Sequence, residues 1–215
     1  LQSIGRVVNT KNTLPILENF LFEIQDNLLT ITGSDSETTL ITTLELIESD
    51  MNARFCINAK TIQESMKEIV EQPLAFDVNM ENMEIIANYQ NGHFSIIGKS
   101  ADDYPQLNIQ VEGMNTLTMS AETLFNGINR SLFATGDDEI RPIFNGIFFD
   151  LQPDALTFVA TDSRKLVRCK NFNVKGEQTA SFILPKKPAN LLKNMLPKES
   201  GDITLHFNDR NAQIT

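Results

Sequence analysis

The chain repeats itself, and that constrains it more than any motif does. Laid against itself at an offset of 127 positions, Pro15 to Leu40 aligns with Pro142 to Val167 without a gap. Eight of the 26 pairs are identical, where unrelated sequence of ordinary composition gives about two. They are Pro15/Pro142, Ile16/Ile143, Phe22/Phe149, Gln25/Gln152, Leu29/Leu156, Thr30/Thr157, Asp35/Asp162 and Ser36/Ser163. Farther on, Phe55-Cys56-Ile57 falls on Phe182-Ile183-Leu184, Val78 on Leu205 and Met80 on Phe207. A constant offset over this length means two copies of one supersecondary plan.

Periodicity gives the plan. Phe20, Phe22 and Ile24 alternate with Leu21 and Glu23, Gln25-Asp26-Asn27 reverses the chain, and Leu28 to Thr32 returns, a hairpin signal that the second copy repeats around Gln152-Pro153-Asp154. A helix is expected from Lys60 to Glu71, with Ile62, Met66 and Ile69 on one face and Lys60, Glu64, Lys67 and Glu71 on the other. Its counterpart runs from Pro188 to Leu196, with Leu191, Leu192 and Met195 apolar, Lys193 opposite and Pro188 suited to the first turn. A third helix, about Ala121 to Phe133 with Ser120 as cap, turns Leu124, Ile128 and Leu132 one way and Arg130 the other. Long alternating strands with amphipathic helices predict a repeated α+β domain, helices packed on one face of antiparallel sheets.

The register predicts two domains, 1–114 and 115–215, each incomplete. A strand at Thr116 to Met119 opens the second copy, and its match falls before Leu1, so the first copy is expected to lack that strand and most of a helix. The first copy continues through Tyr89, His93, Phe94, Ile96, Ile97 and Asp102 to Leu107, whereas the second is expected to be cut at a strand such as Gln213-Ile214-Thr215, without its hairpin partner.

Eighteen Lys and Arg against 28 Asp and Glu, a net charge of -10, argue against wholesale wrapping of nucleic acid but leave room for a local basic surface. Cys56 and Cys169 sit in strand-like apolar runs, where buried reduced thiols are expected rather than a disulfide or metal site. With no signal peptide, lipidation motif or run of 18 apolar residues, the expected location is cytoplasmic. Catalysis is not expected. His93 and His206 occupy positions that the repeat does not equate, and neither has metal-like spacing. Asp35 with Glu37, or Asp137-Asp138-Glu139, lacks an accompanying phosphate loop or base. No cofactor and no metal are predicted.

Thr13-Leu14-Pro15-Ile16-Leu17, Asp102-Asp103-Tyr104-Pro105, Arg141-Pro142-Ile143-Phe144-Asn145-Gly146 and Ala160 through Leu166, in this order and spacing, resemble the beta subunits of bacterial DNA polymerase III, the sliding clamps. The resemblance covers essentially the whole chain. It implies a non-catalytic processivity factor with three such domains per protomer, closed as a head-to-tail dimer into a ring around duplex DNA, helices lining the hole. This chain would supply most of domains one and two, with domain three absent. The implied partners are duplex DNA without sequence preference, the polymerase catalytic subunit, the clamp loader and other proteins carrying a clamp-binding motif.

The resemblance also implies residues. Lys11 matches a basic DNA-facing loop position, Lys67 lies on the first helix, and Lys186 and Lys187 match a basic pair before the next helix. Arg130 and Lys193 join them from the helical wheel, for loose phosphate contact that permits sliding. A pocket for partner peptides is expected at Phe144, Thr161, Ser163, Arg164, Lys165 and Leu166, with Phe144 and Leu166 as apolar walls brought side by side by hairpin pairing. Some members carry glycine and histidine where Ser163 and Arg164 stand, and a smaller aliphatic residue at Phe144. Asp162 is expected to close a turn, as Asp35 does in the first copy. Phe94 and Ile96 match the domain-one edge of the ring interface. The rival reading is a generic interaction scaffold of duplicated α+β domains with no DNA role.

Overall fold

Asp26 and Asn27 take φ of 49° and 64°, the left-handed conformations that a two-residue reversal between twisted strands demands and that short polar side chains tolerate. They join β1 (Asn19–Gln25) to β2 (Leu28–Ser34), paired antiparallel with Phe22 opposite Ile31. The computed structural model describes residues 1–9, 14–106, 110–138 and 140–215. They form two units, 1–106 and 107–215, divided ahead of the expected 114/115 boundary.

In the first unit the hairpin continues into β3 (Thr39–Glu45), β4 (Ala53–Asn58), α1 (Ala59–Lys67), β5 (Ala75–Asn79), β6 (Glu84–Tyr89), β7 (Gly92–Ile97) and β8 (Lys99–Ser100). One sheet has the order β3-β2-β1-β4-β8 and the other β5-β6-β7. The second unit comprises β9 (Asn115–Ser120), α2 (Ala121–Ser131), β10 (Gly146–Gln152), β11 (Ala155–Thr161), β12 (Leu166–Asn171), β13 (Ala180–Pro185), α3 (Lys186–Met195), β14 (Asp202–Phe207) and β15 (Ala212–Ile214). Its sheets run β12-β11-β10-β13 and β15-β14-β9. The two larger sheets share one strand order, and β10, β11 and β13 begin and end at the residues that the 127-residue offset assigns from β1, β2 and β4. The repeat is therefore structural, an α+β plan used twice. Strand β9 pairs with the edge of β14 away from β15, while the matching edge of β5 has no strand partner among the described residues.

Alternation sorts the side chains. In the first unit Phe20, Phe22, Phe55 and Ile57 point to a core completed by Ile62 of α1 and by Ile85 and Ile96 of the second sheet. In the second unit Ile147, Phe149, Leu156 and Phe158 pack with Leu124 and Ile128 of α2 and with Leu205 and Phe207 of β14. Both helices have side-chain caps: Asn58 Oδ1 accepts from Thr61 N–H and Ser120 Oγ from Thr123 N–H, offsetting backbone donors the helix leaves open. Helix α2 lies close to the sheet because Gly127 faces Phe158, whose ring atoms stand only 2.3–2.6 Å from where a Cβ would be.

Two boundaries differ from expectation. Helix α1 stops at Lys67, so Ile69 and Glu71 lie beyond it and only Ile62 and Met66 of the predicted stripe pack inward. Helix α3 starts at Lys186, so Lys186 and Lys187 belong to its first turn instead of preceding it, and Pro188 follows them in that turn. Strand β15 pairs back onto β14 with Leu205 opposite Ile214, through a turn in which Asn208 Oδ1 accepts from Arg210 and Asn211 N–H, and its other edge, where β7 pairs with β6 in the first unit, has no strand partner among the described residues, as expected.

The β2–β3 and β11–β12 connections repeat at atomic detail. Asp35 Oδ1 accepts from Glu37 N–H at 3.1 Å and Thr38 N–H at 2.7 Å. Asp162 Oδ1 accepts from Arg164 N–H at 3.0 Å and Lys165 N–H at 2.9 Å. Ser36 and Ser163 sit at φ 80° and 72°. These are the Asx turns expected of both aspartates. At Asp162 the Lys165 ammonium, followed by the Lys165 and Arg164 amides, holds the carboxyl far below the usual carboxylate range.

A Cβ at position 127 would collide with a buried ring, so Gly127→Ala should destabilise the second unit by about 1–3 kcal/mol, although alanine is favoured over glycine in helices by about 1 kcal/mol. Urea unfolding checks this, and a stabilised variant would count against tight helix–sheet packing. Because the folded-state pKa of Asp162 is depressed, its stabilising effect is present above the ordinary carboxylate pKa and is lost as pH falls through the lower folded value. Asp162→Asn keeps the Oδ1 acceptor and loses the charge. It should therefore melt below wild type at neutral pH but above Asp162→Ala, and its gap to wild type should narrow as pH falls below about 4. A gap independent of pH in thermal melts would exclude the ionic contribution.

Candidate functional site

Where β10 begins, Asn145 ties the preceding segment down. Its Nδ2 donates to Asp138 O at 2.9 Å, and its Oδ1 accepts from Asp138 N–H at 2.7 Å. Asp138 then accepts from the backbone of Ile140 and Arg141 through Oδ1, and from Arg141 Nε and Nη2 through Oδ2 at 2.9 and 2.8 Å. Gly136 N–H donates to Phe144 O at 2.7 Å, and the Arg141 guanidinium lies 4.7 Å from the centroid of the Phe144 ring, a cation–π contact. The Arg141 amide and guanidinium hold the Asp138 carboxyl below the usual range.

This segment and the Asp162 turn form the two banks of an open cleft of about 470 Å³, lined by Thr135 to Asp138, Arg141, Phe144 and Asp162 to Lys165. Its charges are largely paired: Arg141 with Asp138, Lys165 with Asp162, and Lys186 from the start of α3 with Asp137 at 2.5 Å. The cleft suits a ligand with an apolar group against Phe144 and polar groups along the rim. Among the described residues no group of three or more His, Cys, Asp or Glu is placed to hold a metal ion. Cys56 is buried and Cys169 half-buried, and neither is in a disulfide.

Of the expected pocket residues, the cleft gathers Phe144, Ser163, Arg164 and Lys165. Thr161 shapes it indirectly, its Oγ1 donating to Lys165 O at 2.7 Å and accepting from Ser163 N–H at 3.1 Å. Leu166 is not one of its lining residues. It opens β12 opposite Thr161 and is 69% exposed, so hairpin pairing does not make it a wall of this cleft beside Phe144. Sequence reasoning misses Arg141, Asp138 and Asn145 as site residues. The Asp138–Arg141 spacing, a short polar side chain three residues ahead of an arginine, is the local signal that points to them.

The expected DNA-facing residues that the structure describes lie on helices. Lys67 ends α1 and Arg130 lies in the last turn of α2, both exposed, and Lys193 lies in the last turn of α3, half-buried. Cations there favour the C-terminal ends of helix dipoles. Lys186 and Lys187 open α3, where a cation opposes the dipole, and Asp137 offsets that at Lys186. Lys11 lies outside the described residues. Phe94 and Ile96 are on β7, the edge strand of its sheet. The edge is as expected, but both side chains turn towards the unit's own core, Ile96 buried and Phe94 half-buried. Ile97 points the other way and is exposed. No helix among the described residues is long and apolar enough to cross a membrane.

Residues 1–108 match the model of the DNA polymerase III beta subunit, N-terminal domain, and residues 118–215 that of its central domain. The beta sliding clamp of Pseudomonas putida is 25% identical over 100% of this chain and 58% of its own length. That of Haemophilus influenzae is 26% identical with the same coverage. Among solved structures, the DNA polymerase sliding clamp of Bacillus subtilis superposes with a TM-score of 0.90 at 22% identity, over 100% of this chain and 58% of that one. The beta subunit of Thermotoga maritima gives 0.88 at 25%, over 99% and 57%. The chain thus spans a little over half the length of these relatives. Matched along both units, it belongs to the DNA polymerase III beta subunit family, corresponding to that family's N-terminal and central domains.

Proposed function

We propose that this chain is part of a DNA polymerase processivity factor, a non-enzymatic sliding clamp that encircles duplex DNA and tethers the polymerase catalytic subunit, the clamp loader and other motif-bearing proteins. The observation that carries this reading is the tandem of two units with one strand order, each matching a different domain of the same clamp family. A generic scaffold would not require these two domains in that sequence. The longer protein closes head to tail as a homodimer, β7 supplying one edge of the ring interface and the exposed Ile97 an apolar side chain at that edge. The expected setting is the cytoplasm.

In this reading Lys67, Arg130, Lys186, Lys187 and Lys193, with Lys11, meet phosphates through weak, exchangeable contacts. A net charge of -10 over the chain keeps other surfaces from adhering. The Phe144 cleft with Ser163, Arg164 and Lys165 is one half of the partner-peptide site. Leu166, exposed beyond Thr161, extends it as an apolar anchor on the outside of the sheet rather than as a cleft wall.

Replacing Lys67, Lys186 and Lys187 together by alanine in the ring-forming protein should shorten its retention on nicked circular DNA. It should also flatten the dependence of log affinity on log salt, the slope falling by about one at most for each cation withdrawn from a phosphate. An unchanged slope would exclude direct contact by this set. Leu166→Ala should cost about 1–3 kcal/mol of affinity for a clamp-binding peptide, the range for truncating an interface anchor, in isothermal titration with circular dichroism to verify folding. Full-strength binding by the folded variant would remove Leu166 from the site.

A further inference from the structure

Three of the ten glycines follow an asparagine, in Asn91-Gly92, Asn126-Gly127 and Asn145-Gly146. In such a pair the backbone nitrogen of the glycine can reach the carboxamide carbon of the asparagine, because glycine has no Cβ to hold the two apart. Asparagine counts among the thermolabile residues. The three pairs are alike in sequence, and the fold separates them.

Two of the pairs are locked. Gly127 lies inside α2, where its amide is committed to the helix ladder, and the Phe158 ring stands against it. Asn145 is held at both ends of its carboxamide, Nδ2 donating to Asp138 O and Oδ1 accepting from Asp138 N–H, and Gly146 is buried against Ile183 and the Leu184 carbonyl. The third pair is open. Tyr89 pairs with Gly92 across the β6–β7 hairpin, so Gln90 and Asn91 form its two-residue turn, and Gln90, Asn91 and Gly92 are all exposed. The hairpin is tied down one residue earlier, at Gln90, whose N–H donates to Gln72 Oε1 at 2.7 Å. The Asn91 carboxamide itself has no hydrogen-bond partner among the described residues.

We propose that Asn91 is a site of spontaneous covalent modification, its amide converted through a cyclic imide to aspartate and isoaspartate, and that the isoaspartyl product loosens the head of β7. The Gly92 nitrogen gives up its proton and bonds to Asn91 Cγ, the Cγ–Nδ2 bond breaks, and ammonia leaves carrying that proton. The five-membered imide then takes up one water. Opening at Cγ gives an ordinary aspartyl link, and opening at the main-chain carbonyl leaves the chain running through Cγ as isoaspartate. Water is the only co-reactant. Both products add a negative charge to the hairpin, and isoaspartate also adds one carbon to the backbone of a turn whose length sets the strand register. Ala87 and Ile96, both buried, hold the register farther along the hairpin. The mismatch is therefore taken up where Tyr89 meets Gly92, and the head of β7 frays. With β7 read as a ring edge, the change falls at the head of that edge; this consequence rests on that reading, whereas the chemistry does not.

Ageing the folded chain at mildly alkaline pH, with peptide mapping by mass spectrometry over time, compares the three pairs within one molecule. When half of Asn91 has converted, Asn126 and Asn145 should still be intact. In urea, where no fold distinguishes them, the three should convert at comparable rates. Gly92→Ala should slow the conversion of Asn91 severalfold, and its Cβ meets only the far end of the Tyr89 side chain, Oη at 3.0 Å; circular dichroism verifies that it folds. Hydrogen exchange at Gly92 and His93 should quicken in the aged chain and less in Asn91→Asp, which adds the charge without lengthening the backbone, while Ile96 stays protected in both. Conversion of Asn91 no faster than that of Asn145 in the folded chain would overturn the proposal, with or without a folded Gly92→Ala variant. So would unchanged exchange at the head of β7 in isoaspartyl-containing chain. Neither measurement involves DNA or ring closure, so this proposal and the clamp function stand or fall separately.

Discussion

A strand that is apolar on both sides cannot rest with one face in water, and the central strands of each unit are of that kind. Phe20 and Phe22 point one way and Leu21 the other; Phe55 and Ile57 one way and Cys56 the other. The inner face is covered by a helix and a second sheet, which fixes the layer order. The outer face must be covered by something else, and the rest of the first unit is arranged to do it: Gly98 N–H donates to Met83 O at 2.7 Å, β8 pairs with β4, and Tyr104 closes over Cys56. Burial raises the Cys56 thiol to about 11, which makes it an inert packing group rather than a nucleophile.

The second unit meets the same constraint with different chemistry. Its inner core is built around aromatic rings, Phe149 against Phe158 and Phe182 with centroids 4.8 and 4.6 Å apart, and Gly127 lets α2 descend onto them. The positions around its outer face have changed in kind. Leu14, Glu37, Thr38 and Ala59 of the first copy correspond to Arg141, Arg164, Lys165 and Lys186, and three of these four cations are matched to Asp138, Asp162 and Asp137. The two copies share the scaffold, and the second carries a rimmed cleft. The pairing also keeps the cleft near neutrality, so a partner would gain from apolar contact and directed hydrogen bonds more than from bulk charge.

The overall negative charge is compatible with the proposed DNA contact, because that contact needs only local cations. Lys67, Arg130 and Lys193 occupy helix C-termini, where a cation is favoured by the helix itself. Such positions need no buried partner, which suits the exchangeable phosphate contacts proposed for them.

The sequence alone determined the repeat, the strand and helix periodicities and the Asx turns, because each rests on local spacing: period two, period three to four, or an aspartate two and three residues ahead of the amides it accepts. Tertiary structure decided what depends on residues far apart. Ile96 facing inward, and Leu166 standing apart from the Phe144 cleft, depend on which sheet face each strand register selects, and a one-residue shift reverses that choice. The Asp138–Asn145–Arg141 network needs a loop folded back on itself. The difference between a covered and a less covered outer face is a property of what lies across two rows at equivalent positions, Leu21, Cys56 and Thr32 in one unit and Phe148, Ile183 and Val159 in the other, and only the folded chain decides that.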